Sequence, residues 1–118
     1  MSQIEAKAFC ENEHSAHLIE VDSEEENSAI TAEINQRGFP DKKITFWLGI
    51  TDRQSEGHWV LESSGAPIAY TNWKAGEPNN SHRGGEDCAL IDIKEDYWHD
   101  VPCGWRSMGD DYTAICEI

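Results

Sequence analysis

Between Trp73 and Asp100 the chain reads WKAGEPNNSHRGGEDCALIDIKEDYWHD. This stretch gathers the oxygen-bearing side chains of Glu77, Asn79, Asn80, Glu86, Asp87 and Asp100. It is too polar for a core and too long for an ordinary turn. Its charges repel one another unless a cation lies among them. Carboxylate and amide oxygens, without thiolates or a histidine cluster, are the ligands that hard divalent cations such as calcium prefer. The stretch therefore reads as a calcium-organised binding loop, with Cys88 placed to pin it.

Composition sets the frame for that loop. At 118 residues the chain is expected to form one domain, 1–118, with a single modest core. It carries 9 basic and 23 acidic residues, a formal charge of -14. Nucleic acid and anionic membrane need a basic surface, so neither is expected as a partner. No apolar run approaches the ~20 residues that span a bilayer, so no membrane insertion is expected. Met1-Ser2-Gln3 leads straight into a helix-like pattern, and no secretory signal is read before the domain. Cys10, Cys88, Cys103 and Cys116 include no C-x-x-C pair, which argues against a zinc ribbon. Two disulfides and an oxidising, secreted or extracellular setting are the natural reading. Spacing alone allows three pairings. Cys88–Cys103 with Cys10–Cys116 is the attractive one, because it would staple the loop and tie the chain ends. Loop entropy gives such bridges roughly 3 and roughly 4.7 kcal/mol.

The elements that must hold the loop follow from periodicity. Residues 3–13, with Ile4, Ala6, Ala8, Phe9 and Cys10, read as a short amphipathic helix with Cys10 inward. Leu18-Ile19-Glu20-Val21 reads as extended. Ser23 with Glu26 forms a capping-box pattern that opens a second helix. Ala29, Ile30 and Ile34 give that helix its apolar face, and Gly38 and Pro40 end it. Thr45–Ile50 is an uncharged buried strand. His58–Leu61, Cys88–Ile93, Tyr97–Trp98 and Ala114–Glu117 read as further strands, with Ile68-Ala69-Tyr70 short and extended. Two helices followed by several short strands make an α+β domain.

Several of these residues together resemble the C-type lectin-like domain family over nearly the whole chain. SEEENSAI at 23–30 resembles its helix motif, and Trp47-Leu48-Gly49-Ile50 its central W-I-G-L strand. Glu77-Pro78-Asn79 matches its E-P-N motif, and Trp98-His99-Asp100 stands where its W-N-D motif stands. The four cysteines fall at the family's core positions. The resemblance implies the C-type lectin-like fold: two helices, two small antiparallel sheets and a long calcium-binding loop. It also implies the pairs Cys10–Cys116 and Cys88–Cys103, and a cis Glu77–Pro78 bond. One departure lies at the amino end, where the family's opening strand normally precedes the first helix. The resemblance further implies a principal calcium held by Glu77, Asn79, Glu86 and Asp100, together with the middle W-N-D position. Two coordination positions would remain for vicinal sugar hydroxyls. Those hydroxyls would donate to Glu77 or Glu86 and accept from Asn79. Glu before Pro and Asn after it accompany mannose, N-acetylglucosamine, glucose or fucose in the family, whereas galactose binders usually carry Q-P-D. Mannose-type glycans are therefore the expected partners, with glycan recognition in innate immunity as a setting and oligomers as a route to avidity.

His99 is where the residues and the family pattern part. The family has Asn there, and an imidazole offers calcium only nitrogen, which calcium disfavours. His99 either swings out, or keeps only the sugar-donor role, or weakens the site. Weakened calcium binding with sugar binding retained is the expectation, and protonation near pH ~6.5 would weaken it further. Asp52, Glu56, Asn80 and Asp87, sharing Glu86, match the family's auxiliary site for a second calcium, with a solvated acidic rim as the plain alternative. Asn79-Asn80-Ser81 is a glycosylation sequon, but a glycan on Asn79 would destroy the metal site, so none is expected. His14, His17, His58 and His82 read as surface residues and Trp47, Trp59 and Trp73 as core, with Trp105 the candidate for sugar stacking. No nucleophile stands at base spacing and no acid/base pair lies outside the calcium set, so no enzyme is expected. The competing reading is a derivative of the same fold that binds a protein or ice, with calcium only structural.

Overall fold

A computed structural model of the protein describes residues 2–36, 45–78, 85–93, 95–104 and 112–117. Helix α1, Gln3–His14, opens on a reciprocal capping box. Glu5 N–H donates to Ser2 Oγ at 3.3 Å, and Ser2 N–H donates to the Glu5 carboxylate at 2.8 Å. Ser2 and Glu5 thus carry the same S-x-x-E signal as Ser23 and Glu26. The inward side of α1 is Gln3, Ala6 and Cys10, all fully buried, while Ile4 and Phe9 face solvent. The amphipathic expectation therefore needs correcting: α1 approaches the sheets through small and polar side chains, and its largest apolar ones stay outside. Ser15, in the left-handed region at φ 50°, ends the helix.

Strand β1 is His17–Leu18, shorter than the extended piece read at 18–21. It pairs antiparallel with strand β7, Cys116–Glu117, in a two-stranded sheet. The ladder stops because Glu20 N–H turns onto the Glu117 carboxylate at 2.8 Å. Helix α2, Glu24–Gln36, starts with Glu26 N–H bonded to Ser23 Oγ at 3.1 Å. It buries Asn27 and Ile34 and half-buries Ile30, while Ala29 is exposed. Gly38 and Pro40 lie outside the described residues.

Strand β2, Thr45–Thr51, is buried along its whole length and is the centre of a five-stranded sheet. Strand β4, Cys88–Asp92, pairs antiparallel along one edge, and strand β5, Tyr97–Val101, pairs antiparallel with β4. The other edge of β2 is shared. Strand β3, Val60–Leu61, takes Ile50 and Thr51, and strand β6, Tyr112–Ala114, runs parallel to Thr45–Trp47. Four strand readings change accordingly. β3 is shorter than His58–Leu61. β4 stops one residue before Ile93, which stays buried in the turn. β5 runs past Trp98 to include His99 and Asp100. The strand read as Ala114–Glu117 splits into β6 and β7, because the chain changes sheets at Ile115, whose carbonyl accepts Ile19 N–H at 2.9 Å.

The alternation of β2 divides the core. Phe46, Leu48 and Ile50 join Ile34, Trp59, Ile91 and Trp98 in one cluster. Trp47 joins Ala6, Cys10, Leu18, Leu90 and Val101 in the other. Cys10 is bonded to Cys116, and Cys88 to Cys103. Gly49 lets the segment after β1 cross β2 closely: its N–H donates to Ile19 O at 2.8 Å, and a Cβ there would lie 2.8 Å from Leu18 O. At the β4–β5 turn, Asp96 (φ 59°) accepts from Asn27 Nδ2 at 2.9 Å, and Asn27 Oδ1 accepts from Trp98 Nε1 at 3.3 Å. This bridge fastens α2 to the two strands that carry the acidic residues.

Candidate metal and ligand site

Asp100 sits on β5 opposite Ala89, nearly fully buried. Glu86 is equally buried just before β4. The half-buried Glu77 arrives from a segment clamped along β5. Trp98 N–H donates to Asn72 O at 2.9 Å, Lys74 N–H to Trp98 O at 2.9 Å, and Glu77 N–H to Lys74 O at 2.8 Å. The Glu77–Pro78 peptide is cis. Burial, and then the hydrogen bond and charge of Asp100 with the charge of Glu86, push the Glu77 carboxyl up to about 7. The rise reflects the repulsion that an ionised Glu77 would meet from Asp100 and Glu86. A divalent cation relieves the same repulsion, and every donor here is oxygen, so these residues fit calcium.

His99, half-buried, stands opposite Leu90. Successive side chains of a strand point to opposite faces. His99 and Asp100 therefore project to opposite faces of β5. Asn79, Asn80 and Trp105 lie outside the described residues.

A second group gathers where β2 ends. Carboxylate oxygens of Asp52, Glu56 and Asp87 lie within 4.8 Å of one another. Asp52 is almost fully buried; its Oδ2 accepts Gly57 N–H at 2.9 Å, and its buried Oδ1 has no donor. Burial raises the Asp52 carboxyl, and Glu56 adds to the rise while the Gly57 bond opposes it. Asp52 in turn raises Asp87, which the Arg53 charge partly offsets. The backbone holds the pair together: Thr51 Oγ1 donates to Asp87 O at 2.8 Å and Asp52 N–H to the same oxygen at 3.3 Å. Clustered carboxylates, one of them with a buried oxygen that no donor serves, are suited to a cation.

The reading of His17 as a plain surface residue needs correcting. Its Nδ1 donates to Leu18 O at 2.8 Å and lies 3.8 Å from Glu117 Oε1. Glu20, buried beside them, accepts Ser63 N–H at 3.0 Å and Ser63 Oγ–H at 2.8 Å. Each group in this trio has a protein partner, so the trio latches β1 to β7 and to the 61–64 turn. His58 is exposed, and His82 lies outside the described residues. Trp47 and Trp59 are buried and Trp73 half-buried. Trp73 packs tilted on Trp59, with centroids 5.0 Å apart, and edge-on to Trp98 at 5.7 Å. Arg53 was invisible as a supporting residue: its guanidinium reaches Gln3 Oε1 at 3.2 Å and Cys88 Sγ at 3.4 Å, a contact between residues far apart in the chain.

Residues 1–118 match a family model described as the lectin C-type domain. The chain is 41% identical over 119 residues to the hepatic lectin of Gallus gallus, covering 99% of this chain and 50% of that protein. It therefore spans about half the length of that relative. It is similar to the human scavenger receptor C-type lectin carbohydrate-recognition domain, with TM-score 0.77, 32% identity, and 98% and 81% of the two chains covered. It is also similar to the cow C-type carbohydrate-recognition domain of CD23, solved in the presence of GlcNAc2Man3 oligosaccharide, with TM-score 0.77, 28% identity, and 98% and 78% covered.

Proposed function

The chain belongs to the C-type lectin domain family, and from that premise we propose that it binds carbohydrate through calcium and takes mannose-type sugars. The family is one of carbohydrate-recognition domains rather than enzymes, which supports this reading. The observation that carries the proposal is the placing of Glu77 beside Asp100 and Glu86, whose hydrogen bond and charges, together with burial, push the Glu77 carboxyl up to about 7. Those three, with Asn79, hold the principal calcium. Asp52, Glu56 and Asp87, with Asn80 and a shared Glu86, hold a second that stiffens the base of the loop. Bound calcium offers coordination positions to two neighbouring sugar hydroxyls. Glu77 and Glu86 accept the hydroxyl protons, Asn79 donates an amide N–H, and His99 supplies a further donor at the rim. The order Glu77-Pro78-Asn79 supports mannose, N-acetylglucosamine, glucose or fucose over galactose. Two disulfides support an extracellular setting. Residues 1–118 act as one recognition unit, and clustering of copies raises its avidity.

His99 favours a second reading, in which calcium stiffens the loop and the surface binds a protein. A glycan array with calcium and with EDTA separates the two. Chelator-sensitive retention of mannose-type glycans is the expected result. Retained calcium binding with no glycan captured overturns the sugar reading.

A further inference from the structure

The Cys88–Cys103 bridge has two unlike ends. Cys88 is fully buried at the start of β4. Cys103 is half-buried, next to the exposed Gly104. A positive group stands at the buried end, where Arg53 Nη2 donates to Cys88 Sγ at 3.4 Å. Arg53 as a whole is exposed, so its guanidinium needs a support, and Gln3 provides it. Gln3 is fully buried, and its Oε1 accepts from the same Nη2 at 3.2 Å. Its Nε2 donates to Glu62 Oε1, which fixes the amide, and its backbone N–H donates to Cys103 O at 3.1 Å. The first residue of α1 thus orients the guanidinium at one sulfur and holds the backbone of the other. Disulfide sulfur is a weak acceptor, so the Arg53 contact contributes little while the bridge is intact. It becomes an ion pair once Cys88 carries a charge.

We propose that Cys103 is a site of S-thiolation, at which a small-molecule thiol opens the bridge and Arg53 holds the departing Cys88 thiolate. The attacking thiolate bonds to Cys103 Sγ as the Cys103–Cys88 S–S bond breaks, and the electron pair of that bond leaves on Cys88 Sγ. One disulfide replaces another, so no oxidant or reductant is consumed, and the proton lost by the attacking thiol stays in the solvent. Burial closes the opposite route, because Cys88 offers no surface for attack. Exchange is faster when the departing thiol has a lower pKa, and a guanidinium beside the sulfur lowers it. The neighbouring Asp87 carboxylate opposes a buried thiolate, and Arg53, whose charge also acts on Asp87, offsets it. The Cys103 site stands apart from the carbohydrate reading, but its consequence rests on that reading: the adduct releases the start of β4 beside Glu86 and Asp87, and calcium binding weakens.

Incubation of the oxidised protein with reduced glutathione, followed by alkylation of free thiols and peptide mapping by mass spectrometry, tests this. The first adduct should carry glutathione on Cys103 and the alkyl group on Cys88. Arg53→Gln should slow its formation by about fivefold, and Arg53→Lys, which keeps the charge, should recover part of the rate. The slowing should persist with the cationic thiol cysteamine. Its disappearance there would mean that Arg53 only attracts an anionic thiol, and would remove Arg53 from the proposal. Glutathione found first on Cys88 overturns the assignment, as does a rate that is unchanged or raised in Arg53→Gln. Isothermal titration of the purified Cys103 adduct should give a calcium affinity about fivefold below that of the oxidised protein. Equal affinities overturn the link to the metal alone. A protein that binds no calcium in either form overturns the calcium reading and the link together, while the peptide map still decides the Cys103 site.

Discussion

Glu77 carries a proton cost into the folded chain, and its sign is testable. Its carboxyl rises from the ordinary carboxylate range to about 7. The folded, calcium-free protein therefore holds a proton that the unfolded chain releases from about pH 4.5 upward. The associated stability is present below pH ~4.5 and is lost as pH rises to about 7. Calcium reverses the slope, because it binds the ionised group. Urea unfolding in EDTA should give lower stability at pH 7.5 than at pH 5, and the stabilisation by calcium should grow over the same interval. A calcium-free protein whose stability rises across that interval would contradict the arrangement of Glu77, Asp100 and Glu86. His99 is the second residue with a defined effect. His99→Asn replaces a nitrogen that calcium disfavours by an oxygen, and calcium affinity should rise by about tenfold. The variant should also keep more of its calcium at pH 6 than wild type does. Glu77 imposes acid sensitivity on both proteins, so the difference between them isolates His99; no difference would remove His99 from the site.

Helix α2, the β4–β5 turn and the segment 72–77 act as a chain of supports. Asn27 takes the Trp98 indole proton and gives its own to Asp96, while Asn72 also donates to Asp96 O at 2.7 Å. Asn27→Ala leaves the buried Trp98 N–H without an acceptor, so it should cost about 2 kcal/mol of unfolding free energy, read from urea midpoints. It should also weaken calcium binding, because Trp98 and Asn72 hold the strand that carries Asp100. Gly49 is the matching point on β2. A Cβ there meets backbone at 2.8 Å, which no rotamer change relieves. Gly49→Ala should cost about 1–3 kcal/mol, and a neutral result would mean that the segment after β1 lies farther from β2 than described here.

Taken whole, the molecule is held by two disulfides that do different things. Cys10–Cys116 closes almost the entire chain, with a sequence separation of 106, and fastens the β1–β7 sheet to α1. Cys88–Cys103, with a separation of 15, sits beside Glu86, Asp87 and Val101. Replacing either pair by alanines should cost about 2–5 kcal/mol. Calcium affinity should fall more for the Cys88–Cys103 pair, whose loss frees the start of β4 next to the acidic residues. Calorimetric melting should show calcium at about 100 times its Kd adding about 2.7 kcal/mol, with EDTA removing the gain. A melting temperature indifferent to chelator would count against both metal sites.

Chemistry and local pattern were legible in the residues. Ser23 and Glu26 began α2, the uncharged run Thr45–Ile50 marked the central strand, and the order of short motifs pointed to the fold. These signals are local, because caps, periodicity and ligand type depend on near neighbours along the chain. Only the tertiary structure decided which face of α1 goes inward, that the last strand divides between two sheets at Ile115, and that His17 meets Glu117. The same holds for Arg53 reaching Gln3 and Cys88, and for Asp52 meeting Asp87 across β2 and β4. Each of these joins groups far apart in sequence, and no local propensity encodes them. The Glu77 proton belongs to the same class: its carboxyl is an ordinary one until the fold sets Asp100 and Glu86 beside it and takes the water away.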